Sequence, residues 1–541
     1  MVKYYKDDRS IRKWLESVRE KGSKEKVTFV TLSSLTSEKI SQILRERYVD
    51  LADERIPKQI REYELNDRHR VTADDPYDTK LISIILFMIN HILTQKFYEG
   101  RSYDKENKDV KISSQVLRGL YNDGSYISHV IHVTLKSTIL MKLTEYDAGN
   151  VIGGNIEDTI DTNSNTRVRG FDIHPQHIQN EANVIVIEDC PNKFISRKLI
   201  KIWNADTERT IRFNGFEKGK VYLRSFYNVF QLRVDYDAAY DAFVKEYQSR
   251  LNDQQEEPES AYSSLENRLF RLRRWFFAGL TALEFLKSES IHSKYLKIDD
   301  YGRVHSNLTG SPRIIRPYLS FEGCDEPMAM VDLSNAQPFL LVNLIMEWAS
   351  VESGKNIDTR TKLAKFCQKN NYTDIMKYVA IVENGDFYKE CYRLFRGKEH
   401  LKEISPEKKE DMREMIYVSL FYGDGNTKWI EAQELLEKFQ DAYPNVTTII
   451  QYYRTPDYKG LSKRLQREES KLFISDILTK LVVRDGRRYI LSLHDGIFCP
   501  ISQVEAVIGL LNHSFSKSQL RPSVKIEYLD TGKSEKRRIN L

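Results

Sequence analysis

Cysteine is scarce in this chain, and its five residues, Cys190, Cys324, Cys367, Cys391 and Cys499, are scattered singly with no CxxC pair. That spacing excludes a disulfide framework and gives no pattern for a structural zinc site, so reduced thiols are expected. Long apolar runs are missing as well. The best candidate, Leu81 to Leu93, falls short of the roughly 20 residues a membrane-spanning helix needs and contains Asn90 and His91. It reads as a buried helix, and no membrane partner is expected. The start, MVKYYKDDRSIRKW, has no apolar secretory core, which predicts a cytoplasmic protein. No GxxxxGK[ST] is present, so a P-loop ATPase or helicase has no support, and no YxDD suggests a typical reverse transcriptase. Internal repeats and low-complexity tracts are also lacking.

What is present suits a large folded protein. The chain has 541 residues, 40% hydrophobic and 30% charged, with a net charge of only +5. Charge must therefore be judged by its clustering. Two polar stretches, Asn155 to Thr166 and Asn252 to Ser264, mark candidate boundaries. They divide the chain into a mainly helical domain (1–154), a basic α+β domain (167–252), thumb-like helices leading into the catalytic half (265–320) and a core (321–541). In the first domain, LISIILFMINHIL repeats apolar residues at helical spacing. ISSQVLRGLYNDGSYISHVIHVTLKSTILMKL reads as helix, turn and helix, either a DNA-binding unit or a small packing unit.

NVIVI (Asn183 to Ile187) and KVYLR (Lys220 to Arg224) have strand composition. The stretch Lys193 to Arg224 carries nine Lys or Arg against three acids, which fits phosphate contacts or a solvated face equally well. In RLFRLRRWFFAGLTALEFL, Arg268, Arg271, Arg273 and Arg274 interleave with Phe270, Trp275, Phe276 and Phe277 on a predicted helix that buries an aromatic stripe. His174 and His177 have ligand-like spacing but no acidic or cysteine partners, and read as structural histidines.

Two carboxylates stand where metal ligands would. In VDLSNAQPFLL, Asp332 closes a short apolar strand; in YILSLHDGIFCP, His494 and Asp495 fall at a predicted hairpin turn. An aspartate at the end of a buried strand is costly unless something neutralises it, and a divalent cation is one solution. A capping or turn aspartate is the alternative for each. The two are 163 residues apart, so only a folded sheet can join them. Between them PEKKEDMREMIYVSLFYGDGN reads as a helix, with Lys409, Arg413 and Tyr417 at i, i+4 and i+8 on one face. Two cations and a ring make a cradle for a nucleoside triphosphate; a salt-bridged surface helix with Glu410, Asp411 and Glu414 is the plainer reading.

The order of these motifs resembles that of the family A DNA polymerases and the related single-subunit phage-type RNA polymerases. DDYGRVHSNLTGSPRIIRPYL (299–319) is similar to the family's segment handling primer and template. MVDLSNAQPFLL resembles motif A, NGDFYKECYRLF (384–395) the helix after it, Lys409 to the Tyr422-Gly423 pair motif B, and LSLHDGIFCP motif C. LEKFQDAYPNVTTIIQYY, LQREESKLFISDILTKL and the closing helix and strand also follow in order, over about 240 residues.

The resemblance implies an α+β fold with a right-hand-like palm, built on an antiparallel sheet, and helical fingers. It implies Asp332 and Asp495 as ligands of two Mg²⁺ ions, with Mn²⁺ as a substitute and the Leu333 carbonyl as a further ligand. Lys409 and Arg413 would hold the triphosphate, Tyr417 would face the sugar, and Tyr422 would lie by the template base or the sugar. His494 would touch the primer end, Arg313 and Arg316 the nucleic-acid backbone, and Gln466 the minor groove.

The departures matter. The motif B cations are exchanged, one residue is inserted between Tyr417 and the Tyr-Gly pair, Gln337 stands where DNA enzymes carry a glutamate that excludes a 2′-hydroxyl, and motif C reads His-Asp-Gly. The expected activity is template-dependent nucleotidyl transfer, DNA synthesis first, with DNA or RNA template and primer and nucleoside triphosphates as partners. RNA synthesis or priming, and an inactive nucleic-acid-binding scaffold, are the alternatives. The short palm would suit a phage or other mobile-element enzyme. The sequence leaves the oligomeric state open.

Overall fold

The computed structural model describes residues 13, 16–17, 27–48, 79–93, 110–113, 117, 120, 130–131, 134–135, 138–142, 159–161, 166–173, 175–178, 185–191, 195–201, 216–256, 265–289, 294, 296–299, 301–354, 360–397, 412–413, 415–423, 430–455, 457–484, 489–516, 518–530 and 532–538. It is a mixed α and β structure: helices predominate, and the sheets are small and antiparallel.

The organising element is a five-stranded antiparallel sheet. Its central strand, Met328–Leu333, is flanked on one side by Gly496–Pro500 and then Leu491–Leu493, and on the other by Ser523–Tyr528 and then Ser534–Arg538. MAMVDL is apolar at nearly every position because both faces are covered. Ala329, Val331 and Leu333 pack into the core built by the C-terminal helices, whereas Met328 and Met330 join a second core shared with the N-terminal half. The two-residue period of a strand puts Asp332 on the face of Met328 and Met330, at the point where that apolar row ends. The helix that follows, Ala336–Ser353, is buried round most of its circumference, with Pro338 in its first turn.

In the N-terminal half, the strand Thr28–Leu32 pairs with Ile185–Asp189, and Val110–Ser113 pairs with Thr166–Ile173. Strands on both sides of the polar stretch 155–166 thus share sheets, and residues 159–161 are themselves a strand on Thr166–Ile173. That stretch is therefore no boundary between independent sheets. The expected NVIVI strand is present as Ile185–Asp189. KVYLR is not a strand; it lies inside the helix Phe216–Gln231. Its strand-like pentapeptide is overruled by the longer helical period that buries Val221, Ser225 and Val229. Most of the predicted helix-turn-helix lies outside the described residues.

Arginine-rich RLFRLRRWFF is helical, within Leu265–Lys287. It packs along Tyr236–Glu256, with Phe243 against Trp275 and Phe276, Tyr247 on Phe276, and Arg250 over the Trp275 ring at 4.4 Å. Gly279 lets the Phe243 ring approach this helix, since a Cβ there would overlap the ring. The apolar helix Thr79–Leu93 is buried in the N-terminal core, and among the described residues no helix is long and apolar enough to cross a membrane.

Candidate catalytic cleft

Sheet register brings the two aspartates together. Asp332 pairs with Gly496, so Asp495 stands one residue from it across the strand pair, and the Leu333 amide donates to the Asp495 carbonyl at 3.0 Å. Left-handed backbone at non-glycine residues lies next to Asp495, at His494 with φ +47°, and three residues after Asp332, at Asn335 with φ +54°. Such conformations are unfavourable for residues with a Cβ and persist where the surroundings impose them. Protein surrounds both carboxylates, yet Asp495 stays exposed to solvent and Asp332 half-exposed.

Burial, and for Asp332 the neighbouring Asp495 charge, raise both carboxyls above the usual carboxylate range. Arg316 partly offsets this. Its guanidinium lies against the Met330 sulfur at 3.7 Å and the Ser311 carbonyl at 3.5 Å, facing the aspartates, and burial holds its pKa below the ordinary arginine value. The charges of Arg303 and Arg413 also favour ionisation of Asp495. Arg313 is exposed and ion-paired with Glu527.

His494 is held down at about 3, first by burial and then by Arg303, so it is neutral at physiological pH. Its ring meets His305 edge-on at 5.0 Å, and its buried Nδ1 has no hydrogen-bond partner among the described residues. His305 in turn hydrogen-bonds Asp299 at 3.0 Å. Although burial opposes it, that bond and the amides of Arg303 and Tyr301 keep the Asp299 carboxyl below its ordinary range.

The expected motif B helix forms the facing wall. Met412, Arg413, Met415 and Ile416 are helical, and Tyr417–Tyr422 continues as a π-helical turn. The Gly423 amide bonds the Val418 carbonyl five residues back at 2.9 Å. Residues five apart point about 140° away from each other on an α-helix. In the π turn, Tyr417 and Tyr422 instead stack, with centroids 5.2 Å apart and planes at 12°. π turns of this kind occur frequently at functional sites. Arg413 lies over the Tyr388 ring at 5.2 Å, and the Tyr388 and Tyr417 hydroxyls are hydrogen-bonded at 2.9 Å. Lys409 lies outside the described residues.

A polar chain closes the cleft. Tyr422 Oη donates to Gln337 Oε1 at 2.6 Å, Gln337 Nε2 reaches Glu469 Oε2 at 3.4 Å, and Arg303 Nη2 donates to the same Glu469 oxygen at 2.6 Å. Gln466 lies beside the Tyr422 hydroxyl as well. Gln337 and Glu469 are buried, and burial pushes the Glu469 carboxyl up to about 7 against the pull of Arg303.

The fold therefore gathers Asp332, Asp495, Arg316, His494, Arg413, Tyr417, Tyr422, Gln337 and Gln466 into one neighbourhood. Sequence reasoning missed Arg303, Tyr388 and Glu469 as parts of it. A signal for Glu469 exists: Leu461, Leu465 and Glu469 are spaced by four on the helix Gly460–Ser470, so the acid falls on the buried apolar stripe.

Among the described residues no three His, Cys, Asp or Glu side chains are grouped to hold a metal ion. The donor set nonetheless fits Mg²⁺, which takes one or two carboxylates and fills its remaining positions with water and substrate oxygens. Two adjacent carboxylates whose ionisation is opposed by burial are the environment a divalent cation stabilises. His177, set aside as structural, is buried, with Nδ1 3.1 Å from Ser34 Oγ and Nε2 3.2 Å from the Thr138 carbonyl; His174 lies outside the described residues. No protein-family model matches the chain, and no curated protein matches it.

Proposed function

We propose that this protein is a template-dependent nucleotidyltransferase, a DNA polymerase of the family A-like type. The observation that carries the reading is the convergence of Asp332 and Asp495 on adjacent strands, opposite a helix presenting Arg413, Tyr417 and Tyr422. The collinear motifs support it independently. A turn aspartate and a strand-end aspartate with unrelated roles have no reason to meet beside three arginine charges.

In this reading Asp332 and Asp495, with the Leu333 carbonyl, hold two Mg²⁺ ions. When bound, these supply charge for activating a primer 3′-hydroxyl and for the leaving pyrophosphate. Arg413 and Lys409 bind the triphosphate, and the stacked tyrosines form a rigid surface against the sugar and base. Arg316 moderates the negative potential of the aspartate pair without sealing it by a direct ion pair. Neutral His494 offers a polar edge to the primer end. Positioning and electrostatics supply most of the acceleration, with no covalent intermediate.

The test is primer extension with purified protein and Mg²⁺ on DNA and RNA templates. Deoxynucleotides and ribonucleotides are supplied separately, with an unprimed control. Incorporation that vanishes in Asp332→Asn supports the assignment; incorporation retained in full by Asp332→Asn and Asp495→Asn overturns it. The accepted sugar and the unprimed lane separate DNA synthesis from RNA synthesis or priming.

A further inference from the structure

We propose that Glu469 is a positioning residue for sugar selection. It sets the direction of the hydrogen-bond chain that fixes Tyr422 and thereby narrows the space for a 2′-hydroxyl. The inference rests on the nucleotide-polymerising reading and deepens it.

The direction of the chain follows from its ends. Arg303 has only donors, so Glu469, 2.6 Å away, must accept. An accepting carboxylate requires the amide nitrogen of Gln337 on its side, at 3.4 Å, and this leaves the Gln337 carbonyl oxygen facing Tyr422. Tyr422 therefore donates, at 2.6 Å, and its ring is held parallel to Tyr417 on the same turn. An amide alone has no preferred orientation, since its two ends are almost the same size. The acidic charge missing from position 337 stands one hydrogen bond deeper, on Glu469, where it orients the amide without meeting the substrate. Glu469 is 1% exposed, so its effect must pass through Gln337 and Tyr422.

Replacing Glu469 by leucine has a defined consequence. The one oxygen that Arg303 and Gln337 share is lost, and nothing then holds the Gln337 nitrogen on that side. Gln337 can turn round to present its nitrogen to Tyr422, and the tyrosine hydroxyl could then no longer donate to it. Glu469→Gln keeps the direction: its amide oxygen takes the place of the shared oxygen and accepts from both donors, and its nitrogen takes the place of Glu469 Oε1, which has no hydrogen-bond partner among the described residues.

The experiment measures equilibrium affinities and steady-state incorporation for a deoxynucleoside triphosphate and the matching ribonucleoside triphosphate, with Mg²⁺. Wild type, Glu469→Leu and Glu469→Gln are compared. The expected result is deoxy preference in wild type, a fall of at least about tenfold in Glu469→Leu, carried by KM with kcat for the deoxynucleotide changed less than about threefold, and a preference within about threefold of wild type in Glu469→Gln. Binding with an unchanged preference in Glu469→Leu, or an equal loss in Glu469→Gln, overturns this role and leaves the polymerase reading standing. A wild type that binds neither nucleotide, or prefers the ribonucleotide, overturns the gate itself; absence of nucleotide binding alone also overturns the polymerase reading.

Discussion

Gly496 lies directly across the strand pair from Asp332, and the Asp332 carboxylate occupies the volume a Cβ at position 496 would fill. The same Cβ would come within 3.0 Å of the Val331 carbonyl oxygen, a tight contact that a shift of a few tenths of an ångström in the strand relieves. The glycine of the His-Asp-Gly triplet is thus tied to the rotamer of the first aspartate.

Gly496→Ala is therefore expected to displace the Asp332 carboxylate while leaving the sheet paired. A misplacement of about 1 Å at a reacting centre costs on the order of a hundredfold in rate. The variant should fold with a melting temperature within a few degrees of wild type and lose about that much incorporation. Near wild-type incorporation would mean that Asp332 is not held where the chemistry occurs.

Asp332→Asn separates charge from shape. Removing one of two adjacent like charges relieves repulsion, so without divalent metal the variant should be at least as stable as wild type at pH 8. Mg²⁺ should raise the melting temperature of wild type and leave that of the variant nearly unchanged, because a ligand that binds only the native state stabilises it. Incorporation should fall at least about a hundredfold, the scale of losing one preorganised electrostatic contact. An equal thermal response to Mg²⁺ in both proteins would place the metal elsewhere.

Much of this cleft is legible in the sequence because its residues sit at positions of strong local meaning. Asp332 ends an apolar run that must be a buried strand, and His494-Asp495 interrupts two strand-like segments where a turn is needed. Arg413 and Tyr417 share a helical face by spacing alone. Glu469 and Arg303 are hidden because their pairing is made across 166 residues, and a buried ion pair leaves no local trace beyond one acid on an apolar stripe. KVYLR misleads because its five residues have strand composition, and only the longer stretch around them carries the helical period. Tyr422 is misplaced by α-helical spacing, and only the π turn, which the sequence does not announce, brings it over Tyr417.

That turn makes a counterintuitive prediction about chain length. Deleting Val418 should let Tyr417–Tyr422 close as an ordinary α-helix, where residues four apart differ by only about 40° and the two rings still overlap. Nucleotide affinity should change less than about fivefold. Inserting one alanine after Val418 should rotate the rings apart and weaken affinity more than about tenfold. Equal damage from both changes would show that the helix is fixed by its flanks and that the turn does not absorb the extra residue.

Lys294 gives a stability prediction far from the cleft chemistry. It is 5% exposed, its ammonium donates to the Leu286 carbonyl at 3.3 Å, and burial, reinforced by the Arg233 charge, lowers its pKa to about 8. An unfolded lysine titrates near 10.4. Between about pH 8 and that value the unfolded chain binds the extra proton, so the folded state gains stability as pH rises. Below pH 8 the native protein bears the cost of a buried charge, roughly 3 kcal/mol for a difference of this size. Lys294→Met keeps the length of the side chain and removes the charge, at the expense of a hydrogen bond with a net contribution of about 1 kcal/mol. The variant should thus be more stable than wild type by about 2 kcal/mol at pH 7, with the advantage disappearing as pH approaches 10.5. Denaturant melts of the two proteins at pH 7 and pH 10 measure this, and an advantage that stays constant with pH would show that packing, and not the ammonium charge, sets the cost at this position.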